Sequence, residues 1–272
     1  MTRLLAVVVA CGCGSSSPVA VTSIMSSPRP IPVPGRDPSS LRVMSYNVNF
    51  GLAGDVAGAA AIASGSPDVV FLQETNDDWA AVLIAALPRF AFHRFEPPHQ
   101  LPAGGMGVMS VYPIESIDTI DSIAGPFFAW RVIVDAPAGR IQVLDVHLRP
   151  PMSDSGSWVV GYFSTREDRE RELSSHAERL DPKLPTLIVG DFNEEADGRA
   201  VAVAEGIGYI DAIAQFKGAT RTWEWPVGRF TLRFQLDHLM YDRRFVATAA
   251  GIIEAGRSDH KPIWADLEVV TP

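Results

Sequence analysis

Apolar residues along this chain fall into short runs that end, one after another, on a polar or ionisable side chain. Leu41-Arg-Val-Met-Ser-Tyr-Asn47 ends on Asn, Asp68-Val-Val-Phe-Leu-Gln-Glu74 on Glu, Gln142-Val-Leu-Asp-Val-His147 on His, and Phe234-Gln-Leu-Asp237 on Asp. The most continuous run, Thr186 to Val189, leads through Gly190 into Asp191, Phe192 and Asn193, and Ser258-Asp259-His260 stands before a last run from Pro262 to Val269. A continuous apolar run suits a strand covered on both faces, and Gly190 lets the backbone turn as it leaves the sheet. Side chains two apart on an extended segment point the same way, so Asp191 and Asn193 can address one small ligand. Asp and Asn after a strand are also ordinary turn residues. Recurrence separates the two readings: strand ends that each deliver one polar group to a rigid rim are what a hydrolytic site requires.

Two segments have helical composition. Asp77 to Leu87 follows an Asn76-Asp77 cap, and Ser164 to Leu180 starts at Ser164 and is stopped by Asp181-Pro182. Between Met106 and His147 the apolar runs are broken by Pro113, Pro126 and Pro137-Ala-Gly139, which predicts consecutive antiparallel strands and hairpins. Strands in series flanked by helices imply two packed sheets covered by helices.

Ser45-Tyr-Asn47, Leu72-Gln-Glu74, Gly107-Val-Met-Ser110, Val146-His-Leu148, Gly190-Asp-Phe-Asn193, Leu236-Asp237 and Ser258-Asp-His260 appear in that order. Any one of them is weak, but the series resembles that of the endonuclease/exonuclease/phosphatase (DNase I-like) superfamily over residues 41 to 270. The resemblance implies an α+β fold, a four-layer α/β/β/α sandwich of two mainly antiparallel sheets flanked by helices, with the site at one edge of the sheets. It implies metal ligation by Asn47 and Glu74, with Asp259 as a ligand or just behind one, and Mg2+ as the ion, Mn2+ also serving. Asp191 is expected to orient or deprotonate the attacking water, and Asn193 to hold it or a non-bridging oxygen. Asp237 and His260 resemble the family's Asp–His pair, in which the carboxylate fixes the imidazole tautomer and favours the imidazolium against charge on the phosphorane. His147 resembles its second phosphate-binding residue. Asn49 departs from the pattern, since that position often carries Asp and a neutral amide weakens a second metal position.

With 272 residues and 47% hydrophobic composition the chain can bury a large core. The motifs span it without a linker, so residues 41–270 are read as one domain, and a monomer is expected. The first forty residues differ: Arg3, an apolar run from Leu4 to Ala10, then Cys11-Gly-Cys13 and a Ser/Pro-rich tract to Ser40. This reads as a signal segment and a disordered tether, because the tract has too little apolar content to offset its ordering entropy. Val8-Val9-Ala10-Cys11 resembles a bacterial lipobox, so lipidation at Cys11, membrane anchoring and export to the cell envelope or beyond are expected. Both cysteines lie in this leader, which excludes disulfides, Cys-ligated zinc and Cys nucleophiles from the body.

A net charge of -9 argues against a broad basic face for nucleic acid. Arg166, Arg169, Arg171 and Arg179, alternating with Glu167, Glu170, Glu172 and Glu178, read as a solvated, salt-bridged helix face. His93, His99, His176 and His238 match no motif and read as surface or packing residues. Trp158, Trp223 and Trp225 lie in loop-like stretches, where core anchoring, base stacking and lipid contact are all open. The expected function is a metal-dependent phosphoesterase hydrolysing a phosphodiester, nuclease-like, by in-line attack of water. The substrate is a nucleic acid or a phospholipid headgroup. A phospholipid phosphodiesterase of the sphingomyelinase type and a catalytically inactive binding lipoprotein stand as alternatives.

Overall fold

The computed structural model describes residues 40–152, 156 and 158–270; Cys11, its expected lipidation and the rest of the leader lie outside the described residues. One six-stranded sheet contains β1 (Leu41–Asn47), β2 (Val69–Gln73), β3 (Phe92–Glu96), β4 (Met106–Ser110), β13 (Phe245–Ile252) and β14 (Ile263–Val269), in the order β13-β14-β1-β2-β4-β3. The second contains β5 (Ile114–Ile120), β6 (Ala129–Ala136), β7 (Gly139–His147), β8 (Thr186–Asp191), β9 (Ile210–Asp211) and β12 (Asp237–Tyr241), in the order β5-β6-β7-β8-β12-β9. Neighbours are antiparallel except β1 with β2 and β7 with β8. A separate hairpin is formed by β10 (Trp223–Val227) and β11 (Phe230–Phe234). The helices are α1 (Val56–Gly65), α2 (Asp77–Ala86), α3 (Trp158–Ser164), α4 (Arg166–Ala177), α5 (Arg199–Gly206) and α6 (Ala212–Lys217).

The strands' two-residue period sorts side chains into three apolar layers. Val43, Val69, Phe71, Val143, Leu187, Val189 and Leu239 meet between the sheets. Met44, Tyr46, Val70 and Leu72 face the other way and pack on Ile62 of α1 and Trp79 and Leu83 of α2. Leu144, Val146, Ile188 and Met240 pack on Leu173 of α4 and Ala200, Val201 and Ala204 of α5. This is the expected sandwich. Each fully buried Val, Leu or Phe contributes roughly 1.5–3 kcal/mol, and a one-residue slip would turn a whole row outward, so register is strongly held. Following the inward rows along each strand gives Val43, Ser45, Asn47; Val143, Asp145, His147; and Leu187, Val189, Asp191. The packing that fixes the core therefore also aims the strand ends.

Gly190 sits inside β8 rather than at its exit. Its φ is 129°, and a Cβ there would lie 2.0 Å from the Val146 carbonyl oxygen, so only glycine lets β7 and β8 approach next to Asp191. Asn76 caps α2 by accepting from the Trp79 amide, as its sequence indicated. The expected helix from Ser164 to Leu180 is instead α4, preceded by the separate α3, which begins at Trp158. Of the strands expected between Met106 and His147, β4 belongs to the first sheet and β5 to β7 to the second, so the chain changes sheets around Pro113. The solvated-face reading of α4 is corrected: Arg169, Glu172 and His176 are buried. Arg169 Nε lies 3.0 Å from Glu194 Oε1, and its other nitrogens donate to Thr165 Oγ1 and to the Tyr162 and Arg149 carbonyls. A guanidinium so surrounded tolerates burial, which composition alone does not reveal.

Candidate active site

Six of the eight sequence-predicted residues converge on one point between the two sheets. Asp191 ends β8 in register with His147 of parallel β7 on one side and with Asp237 of antiparallel β12 on the other. Its Oδ2 accepts from Asn47 Nδ2 at 3.1 Å and lies 3.6 Å from His147 Nε2 and 3.5 Å from His260 Nε2. Asn47 Nδ2 also reaches Glu74 Oε1 at 3.0 Å. The second ring nitrogen of His260, Nδ1, is 3.0 Å from Asp237 Oδ2. The first sheet thus contributes Asn47, Glu74 and His260, and the second His147, Asp191 and Asp237.

Local backbone supports this aim. Glu74 follows β2 with φ 61°, a left-handed conformation that costs a Glu of order 1–3 kcal/mol and turns its carboxylate toward Asn47 and the Phe50 amide. Asn193, at φ 52°, donates its backbone N–H to Asp191 Oδ1 at 2.8 Å and its amide to the Leu148 carbonyl at 3.0 Å. It braces Asp191 and joins it to the residue after His147. Asp259 accepts from Asn49 Nδ2 at 2.8 Å and from Trp223 Nε1 at 2.9 Å. Asn49 lies beyond the end of β1 with φ 61°, and its side-chain oxygen caps the Gly51 amide, so it orients Asp259 and does not share a strand face with Asn47.

Burial and charge set the protonation pattern. Burial pushes the Asp191 carboxyl up to about 7, against the opposing pull of His260. Burial raises Glu74 as well, and the Asn47 hydrogen bond only partly offsets it. Burial alone would lower His260, but Asp237 and Asp191 outweigh it and raise the imidazole to about 10. His147, buried and facing that imidazolium, falls to about 3 and is neutral at ordinary pH.

Asp191, Asp237 and His260 offer ligand atoms within 4.8 Å of one another, a spacing a metal could also use. With His260 held as imidazolium its nitrogens have no lone pair to give, and in that state the trio is a hydrogen-bonded charge pair beside the Asp191 carboxyl. Hard oxygen donors remain on Glu74, Asp191 and Asn47. Asn47 presents its NH2 to both carboxylates as oriented here; as a ligand it would present Oδ1. Four carboxyl groups, on Glu74, Asp191, Asp237 and Asp259, lie around one imidazole, a concentration of acidic oxygens that a divalent cation would offset.

Several residues behind the site have roles that the sequence did not assign. Trp223 lies on β10, as does Trp225, and not in a loop. Thr222 Oγ1 accepts from the amides of Leu236 and Asp237, fixing the start of β12. Phe127 stacks on His147 with ring centroids 4.2 Å apart. Ser45, Gln73 and Asp145 form a buried hydrogen-bonded set one step inward from Asn47 and His147. Their signal was a polar residue at an inward position of an otherwise apolar strand. Among the remaining histidines, His93 and His99 are exposed and His176 is packed. His238 is buried, bonded to Asp211 Oδ2 at 2.7 Å and the Glu194 carbonyl at 2.9 Å, on the side of β12 away from Asp237.

The sequence profile described as Endonuclease/Exonuclease/phosphatase family matches residues 44–260. The chain belongs to this family. It is accordingly a hydrolase acting on phosphoester bonds, in a family whose enzymes generally depend on divalent metal. Among solved structures, an endonuclease/exonuclease/phosphatase from Beutenbergia cavernae superposes with a TM-score of 0.69 at 23% identity, covering 85% of this chain and 72% of that one. The catalytic domain of human Nocturnin with bound sulfate gives 0.66 at 16% identity, covering 85% and 95%. TDP2 of D. rerio with a single-strand DNA product gives 0.65 at 17% identity, covering 85% and 100%. At these identities the likeness is one of fold. No curated protein sequence matches the chain.

Proposed function

We propose that this member of the family is a divalent-metal-dependent phosphodiesterase that uses water in an in-line displacement. The observation that carries the reading is the convergence on Asp191, whose Oδ2 is approached by Asn47, His147 and His260 from three different strand ends. A carboxyl lifted to about 7 accepts a proton from water near neutral pH, and the Asn193 amide keeps its other oxygen fixed. His260, held as imidazolium by Asp237, donates toward a non-bridging oxygen as negative charge builds there. Neutral His147 donates to a second oxygen without adding charge. Asn47 and Glu74 are the proposed metal ligands, with Asp259 directed from behind by Asn49 and Trp223. An ion held there, Mg2+ or Mn2+, would supply Lewis acidity to the phosphoester and would offset the carboxylate charge.

Plasmid DNA, RNA, sphingomyelin and bis-p-nitrophenyl phosphate, each assayed with Mg2+ and then with EDTA, test this reading. Hydrolysis of at least one, lost in EDTA and restored by Mg2+, is the expected result; full turnover in EDTA overturns it. Export belongs to the same proposal and rests on Ala10-Cys11 at the end of the apolar leader. A Cys11→Ser, Cys13→Ser double variant should leave the membrane fraction of a bacterial host, and unchanged fractionation would rule out the lipid anchor.

A further inference from the structure

The hairpin of β10 and β11 belongs to neither large sheet, is tied to the segment before β14 by a bridge between Trp223 and His260, and has a register that gives it two unlike faces. Trp223 opposes Phe234, Trp225 opposes Leu232, and Val227 opposes Phe230, so one face is wholly apolar. The other carries the Glu224–Arg233 ion pair, Pro226 and Thr231. The apolar face begins at the active site, where Trp223 is buried, donates to Asp259 and has its ring 6.4 Å from that of His260. Trp225 lies parallel to Trp223 at 6.3 Å. From there the face runs into solvent: Trp225 is 48%, Val227 49% and Phe230 79% exposed. Across the site Phe50, whose amide donates to Glu74 Oε2, is also exposed. Exposed apolar surface of this kind, continuous with a site and bordered by polar residues, marks a docking surface.

The chemistry of this face selects the occupant. The face is continuous with a phosphoester site, so its ligand joins a phosphate to an apolar body. Its outer end is aliphatic as well as aromatic, which base stacking does not need. Of the cations beside it, Arg233 is engaged with Glu224 and Lys261 with Glu224 and Glu254, which leaves the exposed Arg229 of the turn as a single positive charge at the tip, and the chain carries a net charge of -9. A polyanion tracking away from the site would find little to neutralise it. A Trp, a Val and a Phe at a ribbon tip suit the boundary between headgroups and acyl chains of a zwitterionic lipid surface.

We propose that the apolar face of the β10–β11 ribbon seats the active site on a zwitterionic phospholipid surface, so that the phosphodiester hydrolysed is one carried by an assembled lipid. This names the substrate class of the site and rests on the phosphodiesterase reading above. Docking is driven by apolar insertion at Val227 and Phe230, with Trp225 at the interface, and not by charge.

The test uses the full chain with Cys11→Ser and Cys13→Ser, which removes any acyl anchor, and compares it with the same chain carrying Val227→Ser and Phe230→Ser. Co-sedimentation with phosphatidylcholine vesicles is measured at low and high salt. Turnover of soluble bis-p-nitrophenyl phosphate is measured alongside. The parent should bind at both salt concentrations, and the tip variant should bind about tenfold or more weakly while its turnover of the soluble ester is unchanged. Absence of vesicle binding by the parent, binding abolished by high salt, or equal binding by the variant overturns the proposal. So does a dimer, or an oligonucleotide complex, that the tip variant loses, since the face would then belong to a second copy or to nucleic acid. Vesicle binding that needs the tip, in a parent that hydrolyses no phosphodiester, overturns the phosphodiesterase reading and leaves the docking surface standing.

Discussion

Gln73 Nε2 donates to Asp145 Oδ1 at 2.6 Å, a polar link across the apolar layer between the two sheets. Gln73 ends β2 immediately before Glu74, and Asp145 lies one inward step before His147 on β7. Ser45, one inward step before Asn47, completes the set from β1 at 3.4 Å. The site is divided between the sheets, which meet there through the Asn47–Asp191 and His260–Asp237 contacts and, deeper, through an apolar layer. A hydrogen bond between the two halves, placed directly beneath them, fixes their spacing.

Burial raises the Asp145 carboxyl well above its ordinary range, against the opposing pull of the Gln73 hydrogen bond. If that shift keeps the group protonated, Asp145→Asn, which is uncharged and of the same shape, should leave urea stability nearly unchanged at neutral pH. Asp145→Leu strands the Gln73 amide and should cost about 1–3 kcal/mol. The Gln73→Leu, Asp145→Leu double variant should lose less than the sum of the singles. An Asn variant as unstable as the Leu variant would show that the carboxyl is ionised.

Glu172 gives a pH dependence of stability. Its carboxylate accepts from Ser122 Oγ at 2.6 Å and the Arg149 amide at 2.8 Å, yet burial outweighs both and pushes the group from 4.5 to about 7. The folded chain thus holds this proton more tightly than the unfolded chain does. The stabilisation is complete below pH 4.5 and is lost as pH rises through about 7. Urea unfolding from acid to neutral pH should show this decline, and Glu172→Gln should flatten it. An identical slope in the variant assigns the decline to another group.

The converging strand ends were legible in the sequence because one signal served twice. Alternation that buries Val43 and Val189 also aims Asn47 and Asp191, and the apolar runs made each strand and its end visible. The brace from Asn193 was not legible as such, since φ 52° and a bond to the Leu148 carbonyl depend on a chain segment 45 residues away. Arg169 and Glu172 were misplaced for a related reason. A helix written REDRERELSSHA has no apolar stripe, and what buries it is Glu194, Ser122 and Arg149 from distant loops. The ribbon was hidden by Pro226 and by the lack of a following helix or sheet partner, although Trp223, Trp225 and Val227 already alternate with Glu224 and Pro226.

Metal binding has a readout independent of turnover. If Glu74 and Asn47 hold a divalent ion, Mg2+ or Mn2+ should raise Tm as the ion concentration climbs past its dissociation constant, reflecting a stabilisation of about 2.7 kcal/mol at a hundredfold excess. Glu74→Gln should abolish that shift while leaving the metal-free Tm equal or higher, because it removes a buried carboxylate whose charged form burial already disfavours. A Tm shift that survives Glu74→Gln and disappears in Asp237→Asn would move the ion to the Asp191, Asp237 and His260 trio.

Asp237 and His260 separate chemistry from scaffolding. His260 Nδ1 lies 3.0 Å from one Asp237 oxygen and 3.1 Å from the other, while its Nε2 points at Asp191. If the imidazolium stabilises charge in the transition state, His260→Ala should lower kcat on the order of 100-fold or more, with KM moving less. Asp237→Asn keeps the shape but no longer holds the proton on His260, so it should lose much of the same rate and bring the alkaline limb of the pH profile down from about 10. Because the carboxylate works only through the imidazole, the double variant should be little slower than His260→Ala alone. Multiplicative losses would mean that Asp237 acts on the substrate or the ion by itself, and a His260→Ala chain with near-normal kcat would remove the pair from the mechanism.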